Sequence, residues 1–401
     1  MIEQIFIAIF LGICAGIFTG LFPGIHINLL ALLLFIFSSF FLKFTSEIVL
    51  ATFIISMSIT HVFLDFIPSI FLGAPDENTA LSVLPGHRML TKGEAYCAIK
   101  LTTIGAFFGI LIAIALTPFF IVTAPAFYPY LIKIMAFLLI AIVVFSILQE
   151  KKKIWALFIF VLSGILGFST LNMTVIRQAL FPLFSGLFGT SLLTLSFMQN
   201  VRIPKQKIKK IKINKRESVK TLSLGIIASS LVAFLPGVGA AQAATMASVL
   251  KKLNEKMFLL LLGAVNTITM LLSFVALYAI QKPRSGVAVF AGKFLPFFNF
   301  QQLLVLLAAT LMAASISVFL SLFFARIFSK IIIKVNYKWL SFFVIVLIIF
   351  LSLVLSGPVS LLILLAGTAI GITTSLIGIR KINMMGSLLL PVILYYLLNL
   401  K

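Results

Sequence analysis

Long apolar segments alternate with short polar stretches along the whole chain of 401 residues. A transmembrane helix needs about 20 consecutive apolar residues to cross the hydrocarbon core of a bilayer, so the pattern predicts an all-α integral membrane protein with roughly 12–14 hydrophobic segments. The candidate segments are 4–22, 25–42, 47–73, 98–120, 131–148, 154–171, 179–198, 221–235, 238–250, 257–280, 302–325, 339–356, 359–379 and 383–399.

A basic stretch divides these segments into two groups of seven. Residues 200–220 contain nine Lys and Arg residues and one acid, Glu217. Such a stretch is typical of a solvated or headgroup-bound connector. We therefore predict a first transmembrane repeat at 1–199, a basic cytoplasmic connector at 200–220 and a second transmembrane repeat at 221–401.

The two halves share motifs in the same order. A Pro-Gly pair interrupts an apolar segment at Pro23-Gly24 and again at Pro236-Gly237, which is 213 residues later. In the loop predicted after the third segment of each half, residues 80–90 resemble residues 286–295. The similarity is weak at each position but keeps its order, so it predicts an internal duplication.

The charge distribution orients the halves. The chain is 62% hydrophobic with a formal net charge of +22. If the connector is cytoplasmic and each Pro-Gly pair returns the chain to its starting side, 24 of the 31 Lys and Arg residues lie inside. The positive-inside rule favours this arrangement, so topology explains the charge and no nucleic-acid partner is needed. Residues 74–97 then face inward and residues 281–301 outward. This predicts inverted halves and a multi-pass protein of the cell membrane.

The paired Pro-Gly interruptions are the first candidate substrate site. Pro removes a backbone donor and Gly permits unusual dihedral angles, so a helix breaks there and the following half-helix presents free N–H groups that suit an anion. Breaks at matching positions of two repeats indicate a transport site; the alternative is a pair of structural kinks. The predicted substrate-binding residues here are Gly20, Pro23, Gly24, His26, Asn28, Pro236, Gly237 and Gly239.

Polar residues inside apolar segments are the second signal. His61 and Asp65 stand four residues apart, so a helix places them on one face. Acidic residues within the membrane are functional by default, which makes proton relay or cation coordination one interpretation and a satisfied structural pair the other. We add Asp76 and Glu77, in the polar turn after this segment, as ion-coupling candidates, although the residues by themselves favour a solvated turn with capping potential.

The corresponding segment of the second half contains Asn266, Thr267 and Thr269. We predict that Asn266 and Thr267 bind carboxylate oxygens of the solute. Hydrogen bonding between helices is the alternative role for such residues.

No catalytic signature is found in the sequence. There is no G-x-S-x-G, no H-E-x-x-H and no G-x-x-x-x-G-K-[ST] motif, and the three histidines suggest no pairing of a nucleophile with a base. We expect a transporter and not an enzyme, with Na⁺ or H⁺ as coupling ion, no metal site and no other cofactor.

Several motifs together resemble one known family. They are the glycines and proline at Gly16, Gly20, Pro23 and Gly24, then Gly-Ala-Pro-Asp-Glu at 73–77, Pro-Gly-His-Arg-Met-Leu-Thr-Lys-Gly-Glu-Ala at 85–95, Phe-Pro-Leu-Phe-Ser-Gly-Leu-Phe-Gly at 181–189 and Leu-Pro-Gly-Val-Gly at 235–239. In this order they are similar to the TctA family, the large membrane subunit of tripartite tricarboxylate transporters. The chain resembles a short, divergent member.

The resemblance implies secondary active uptake of a small organic anion such as a di- or tricarboxylate. It also implies two partners, a small membrane subunit and an extracytoplasmic binding protein. A translocase of lipid-linked (polyprenyl) phosphate remains the alternative, because Pro-Gly-containing inverted repeats also occur in such proteins. A channel and an intramembrane enzyme are more distant alternatives.

Overall fold

A computed structural model describes residues 2–23, 27–74, 79–176, 178–198, 203–208, 214–233, 239–251, 253–283 and 285–398, without the side chains of residues 28, 29 and 32. Every regular element in these ranges is helical. Ten of their helices are long and apolar enough to cross a membrane. The predicted all-α membrane class is therefore confirmed.

The helices of the first half are α1 (Ile2–Leu21), α2 (Ile27–Ile36), α3 (Ser38–Phe41), α4 (Glu47–Leu64), α5 (Phe66–Phe71), α6 (Val83–Thr91), α7 (Ala95–Leu148), α8 (Lys153–Asn172), α9 (Leu180–Phe184) and α10 (Ser191–Met198). A 3₁₀ turn, Ala80–Ser82, precedes α6, and a π-helical stretch, Ser185–Thr190, joins α9 to α10.

The helices of the second half are α11 (Lys215–Ala233), α12 (Ala240–Leu250), α13 (Glu255–Ile280), α14 (Gly286–Phe294), α15 (Phe300–Ile331), α16 (Tyr337–Ser356), α17 (Ser360–Ile377) and α18 (Gly386–Leu398). A 3₁₀ helix, Lys381–Met385, precedes α18.

Two regions differ from the sequence-based expectation. The similar stretches at 80–90 and 286–295 were expected to be loops, but they contain the short helices α6 and α14. Buried side chains such as Leu90 and Val287 hold these helices against the bundle. The connector also becomes helical before its predicted end, because α11 begins at Lys215.

Helix α7 contains two of the predicted segments. Its 54 residues would extend about 80 Å if straight, far more than the roughly 30 Å hydrocarbon core. Yet Arg88, on the short helix α6 that precedes α7, and Gln149, directly after α7, line the same cavity. The helix therefore bends back on itself. Its middle contains Pro118, Pro125 and Pro129, residues that remove helical hydrogen bonds and favour such bending.

Small residues allow the helices to approach closely. A Cβ atom added to Gly105 would lie 2.0 Å from the Leu260 carbonyl oxygen, and one added to Gly263 would lie 2.0 Å from the Thr102 carbonyl oxygen. Glycines on both sides thus bring the backbones of α7 and α13 together. In lipid, where burial away from water gives no driving force between helices, such close van der Waals packing stabilises the bundle.

Helices α4 and α15 run parallel. The Ser317 hydroxyl donates to Thr60 Oγ1 at 3.1 Å, and the Ser321 hydroxyl donates to the Phe63 carbonyl at 3.4 Å. The contacts advance along both helices together, which is possible only if both chains run in one direction.

Helices α7 and α13 begin on the opposite side from α15. Tyr278, near the end of α13, contacts Phe300, at the start of α15, with ring centroids 6.3 Å apart. Arg326, near the end of α15, lies over the ring of Tyr96, near the start of α7. The helices that correspond in the two predicted repeats, α4 with α13 and α7 with α15, therefore run in opposite directions. Inverted halves require such directions; the repeat itself stays a prediction.

The outer surface is strongly apolar. Helices α8 and α16 expose large side chains along their length, among them Trp155, Phe158, Trp339 and Phe350. A soluble protein rarely exposes large apolar side chains along whole helices, whereas a surface in contact with lipid has to be apolar.

Cysteine labelling can test which side each end of the bundle faces. In a variant lacking Cys14 and Cys97, we expect a cysteine at Lys207 to be protected from a membrane-impermeant maleimide in intact cells, and a cysteine at Lys282 to react. Lys207 is exposed on the connector, where its N–H donates to the Gly93 carbonyl at the start of α7, and Lys282 follows the far end of α13. Labelling at position 207 without labelling at position 282 would show that the protein has the opposite orientation in the membrane.

Candidate functional site

Helices α4 and α13 form the centre of the bundle. Of the ten candidate spans among the described residues, those containing α4 and α13 are the most buried, with 83% and 89% of the residues in their most apolar stretch buried; the others reach at most 72%. The two helices contact each other directly. Polar residues on them are therefore shielded from both lipid and bulk water.

His61 and Asp65 lie together on one face of α4. His61 Nε2 is 3.9 Å from Asp65 Oδ2, and both residues are only 3% exposed. Helix α4 ends at Leu64, directly before Asp65. Pro68, four residues beyond Leu64, has no N–H to donate to the Leu64 carbonyl, which accounts for the interruption. The carboxylate thus stands where one helical hydrogen bond of this central span is missing, although Asp65 itself keeps helical dihedral angles.

Asn266 and Thr267 differ in their bonding. The Thr267 hydroxyl donates to the Ala106 carbonyl at 2.9 Å and so joins α13 to α7. Asn266 is 2% exposed, and its Nδ2 has no hydrogen-bond partner among the described residues. Thr269 Oγ1 is buried without a partner in the same ranges. Of the pair Asn266 and Thr267 on α13, Asn266 is therefore the residue whose N–H donors remain available to a solute within the described ranges.

A series of contacts relates the depths of α4 and α13. Gly263 packs against the Thr102 carbonyl. Thr103, the next residue of α7, shares a 2.9 Å hydrogen bond with Ser321 of α15. Ser321 in turn donates to the Phe63 carbonyl. Gly263 and Phe63 therefore lie at a similar depth in the bundle.

The polar groups of the two central helices consequently share one level. Asn266 is three residues after Gly263, and His61 is two residues before Phe63. Because α4 and α13 run in opposite directions, both steps lead the same way, by about 3–5 Å at 1.5 Å per residue. His61 and Asn266 thus lie within about one helical turn of each other in depth.

The described Pro-Gly residues have clear structural roles. Gly20 packs closely, since an added Cβ would lie 2.8 Å from Leu64 Cβ and 3.0 Å from the His61 carbonyl oxygen. Pro23 lies in a turn after α1. Gly239 caps α12, and its N–H donates to Gln242 Oε1 at 2.9 Å. The structure thus brings Gly20 next to His61 and keeps Gly239 at the start of α12.

Several predicted site residues fall outside the described ranges. These are Gly24, His26, Asp76, Glu77, Pro236 and Gly237, together with the side chain of Asn28. Their roles stay predictions. Both Pro-Gly pairs fall between described helices, the first between α1 and α2 and the second between α11 and α12.

Sequence reasoning missed a polar cluster around α6. The two ring nitrogens of His87 contact the Ser196 hydroxyl at 3.1 Å and the Tyr337 hydroxyl at 3.2 Å. Burial, together with the positive charge of Lys381, lowers the pKa of His87 to about 4, so the imidazole is neutral near pH 7. The neutral ring ties α6 to α10 and α16. Only the burial, which no sequence signal showed, distinguishes His87 from a loop histidine.

A charged cavity of about 790 Å³ lies beside this cluster, lined by residues from α6, α13, α17 and the turn after α7. Sequence reasoning assigned its basic residues only to membrane topology. Arg380 and Lys381, for example, are among the 24 basic residues that the charge distribution predicts to lie inside.

Comparison with known proteins identifies the family. The family model described as the tripartite tricarboxylate transporter TctA family matches residues 6–386. An uncharacterized protein of Methanocaldococcus jannaschii is 30% identical over 362 residues, covering 86% of this chain and 88% of that protein. No solved structure matches the chain. With its membrane-spanning helical fold, the chain belongs to the TctA family of membrane transporter components.

Proposed function

We propose that the chain is an ion-coupled carrier for a small organic anion, such as a di- or tricarboxylate, and that the anion binds between α4 and α13. The observation that carries this proposal is the buried amide of Asn266. A buried polar group without a hydrogen-bond partner destabilises the fold by about 1–3 kcal/mol, so a ligand that accepts hydrogen bonds from this amide would stabilise the protein. A carboxylate is an acceptor-only group that fits unused N–H donors.

The pair of His61 and Asp65 supports the choice of a coupling ion. A carboxylate beside an imidazole can exchange a proton, and a carboxylate beside an interrupted helix offers oxygen ligands to Na⁺. An ion held by this pair would lie within about one helical turn of Asn266 in depth. Binding of the ion would favour binding of the solute, because a bound cation or proton reduces the electrostatic cost of burying an anion.

Helix directions support a site shared by both halves. In inverted-repeat carriers, substrate and ion bind near the midplane at the interface of the repeats. Here α4 comes from the first half and α13 from the second, and they run in opposite directions. The starts of α2 and α12, which follow the two Pro-Gly pairs, would add positive helix ends to the same region.

Family membership supports two partners for this chain. Tripartite transporters work with a small membrane subunit and an extracytoplasmic binding protein, and we propose that this chain does so as well. The binding protein would deliver the anion to the outer face, and the central site would then accept it.

Replacing Asn266 with Leu tests the site. We expect the affinity for the transported anion to fall at least tenfold, which corresponds to about 1.4 kcal/mol, because the variant removes the amide donors at nearly constant volume. Purified protein would be screened by thermal shift against citrate, succinate, phosphate and a prenyl phosphate, with and without Na⁺. Binding of each ligand that shifts the melting temperature would then be titrated.

Ser352→Ala is the matched control, since it removes from α16, away from the central helices, a buried hydroxyl that has no hydrogen-bond partner among the described residues. Unchanged carboxylate affinity in Asn266→Leu would contradict the proposed site. Selective stabilisation by prenyl phosphate would instead favour the lipid-phosphate translocase.

A further inference from the structure

The 790 Å³ cavity contains more positive than negative charge. Its basic lining residues are Arg88, Lys151, Lys152, Arg380 and Lys381, and its carboxylates are Glu150 and Glu255. The volume is within the roughly 300–1,000 Å³ typical of small-molecule sites. Phe188, Phe258 and Ile379 supply apolar walls that can contact the carbon part of a ligand.

Both carboxylates of the cavity are already paired. Glu150 accepts from Arg380, with Asn383 Nδ2 a further donor at 3.1 Å. Glu255 accepts from Arg88 and from Lys92, each at 3.3 Å. Neither carboxylate accepts a hydrogen bond from Lys381 in the described ranges.

Lys381 differs from the other cations of the cavity. It is 7% exposed, and its Nζ has no hydrogen-bond partner among the described residues. By contrast, the Lys152 ammonium donates to the Ile377 carbonyl at 2.8 Å. Burying an ammonium without partners is costly, and such groups normally pair with an acid or bind a ligand. The nearby ring of His87 is occupied by Ser196 and Tyr337.

We propose that the cavity is an oxyanion-binding site, separate from the site at Asn266, in which the Lys381 ammonium binds a carboxylate or phosphate group. The ammonium supplies three donors to the oxygens. Arg88 and Arg380 contribute positive potential to the cavity while they remain paired with Glu255 and Glu150. The group can belong to a soluble anion or to a lipid headgroup, because both present the same oxygens to the lysine.

Titration of a variant without the central site tests this proposal independently of the proposed function. In Asn266→Leu protein, reconstituted in nanodiscs of zwitterionic lipid, citrate and inorganic phosphate would be titrated by calorimetry. We expect Lys381→Met to lower the affinity for both probes at least tenfold. Lys152→Met, which removes a cavity lysine that is already bonded, should change it less than twofold. Lys381→Arg should retain binding, because the guanidinium keeps the charge and the donors.

The melting temperature separates a binding lysine from a structural one. Without anion, Lys381→Met should melt at a higher temperature than its parent, because it removes a buried charge that has no hydrogen-bond partner in the described part of the chain. With anion, the parent should gain stability and the Met variant should not. A Met variant that binds citrate and phosphate like its parent would overturn the proposal.

A second arm identifies a lipid source. Nanodiscs containing phosphatidylglycerol would be analysed by native mass spectrometry for retained lipid. If the headgroup is the occupant, the lipid competes with phosphate, and Lys381→Met loses the retained lipid. Absence of both soluble-anion binding and Lys381-dependent lipid retention also overturns the proposal.

Discussion

Replacing Asp65 with Asn is expected to abolish gradient-driven accumulation of the solute while solute exchange continues. Asn keeps the size of the side chain but cannot release a proton, and it removes the negative charge that a cation would bind. Exchange needs no net movement of the coupling ion, so it should survive. Proteoliposomes loaded with unlabelled solute would report exchange, and empty proteoliposomes with an imposed Na⁺ or H⁺ gradient would report accumulation.

Glu47→Gln is the matched control for this experiment. Glu47 lies on the same helix, but it is exposed at the first turn, whereas Asp65 is 3% exposed. The control should accumulate solute like the unmodified protein. Full accumulation by a folded Asp65→Asn protein would remove the basis for assigning coupling to this carboxylate.

Replacing Gly263 with Ala is expected to destabilise the bundle strongly. The new Cβ would lie 2.0 Å from the Thr102 carbonyl oxygen, so the backbones of α7 and α13 must separate. Overpacking in protein cores typically costs about 1–3 kcal/mol, and we expect a value toward the upper end because backbone atoms oppose the methyl group. Size-exclusion chromatography and the melting temperature in detergent would measure the loss.

Gly225→Ala provides the comparison for this substitution. An added Cβ at Gly225 meets only side-chain atoms, the nearest being Leu261 Cδ1 at 3.2 Å, and a leucine side chain can adjust its rotamer. Its melting temperature should stay near that of the unmodified protein. Equal melting temperatures for the two alanine variants would show that the α7–α13 contact tolerates expansion.

Polar residues inside apolar segments were the most informative sequence signal for the candidate site. Their spacing predicted that His61 and Asp65 share a face of one helix, and their side chains lie 3.9 Å apart. The same signal singled out Asn266 and Thr267 together, although of the two only Asn266 has donors without a partner within the described ranges. Bonding partners depend on neighbouring helices, so sequence spacing could not separate the two residues.

Glycine motifs were harder to interpret. Gly20 belongs to the Pro-Gly motif from which a solute site was predicted, yet it packs against His61 and Leu64. A glycine that admits a ligand and one that admits a neighbouring helix have the same sequence pattern, because both need only the absence of a side chain. The contribution of Gly24 and Gly237 to a site is still a prediction.

The sequence by itself determined the membrane class, the family and the main polar positions of the central helices. These properties follow from local quantities: the length of apolar runs, the polar residues within those runs and the order of short motifs. The tertiary structure alone decided that α7 bends back, that α4 and α13 bring His61 and Asn266 within about one helical turn in depth, and that Lys381 is buried with no hydrogen-bond partner among the residues the structure describes. Each of these depends on contacts between residues far apart in the chain, and no local pattern specifies which groups such contacts leave buried and unbonded.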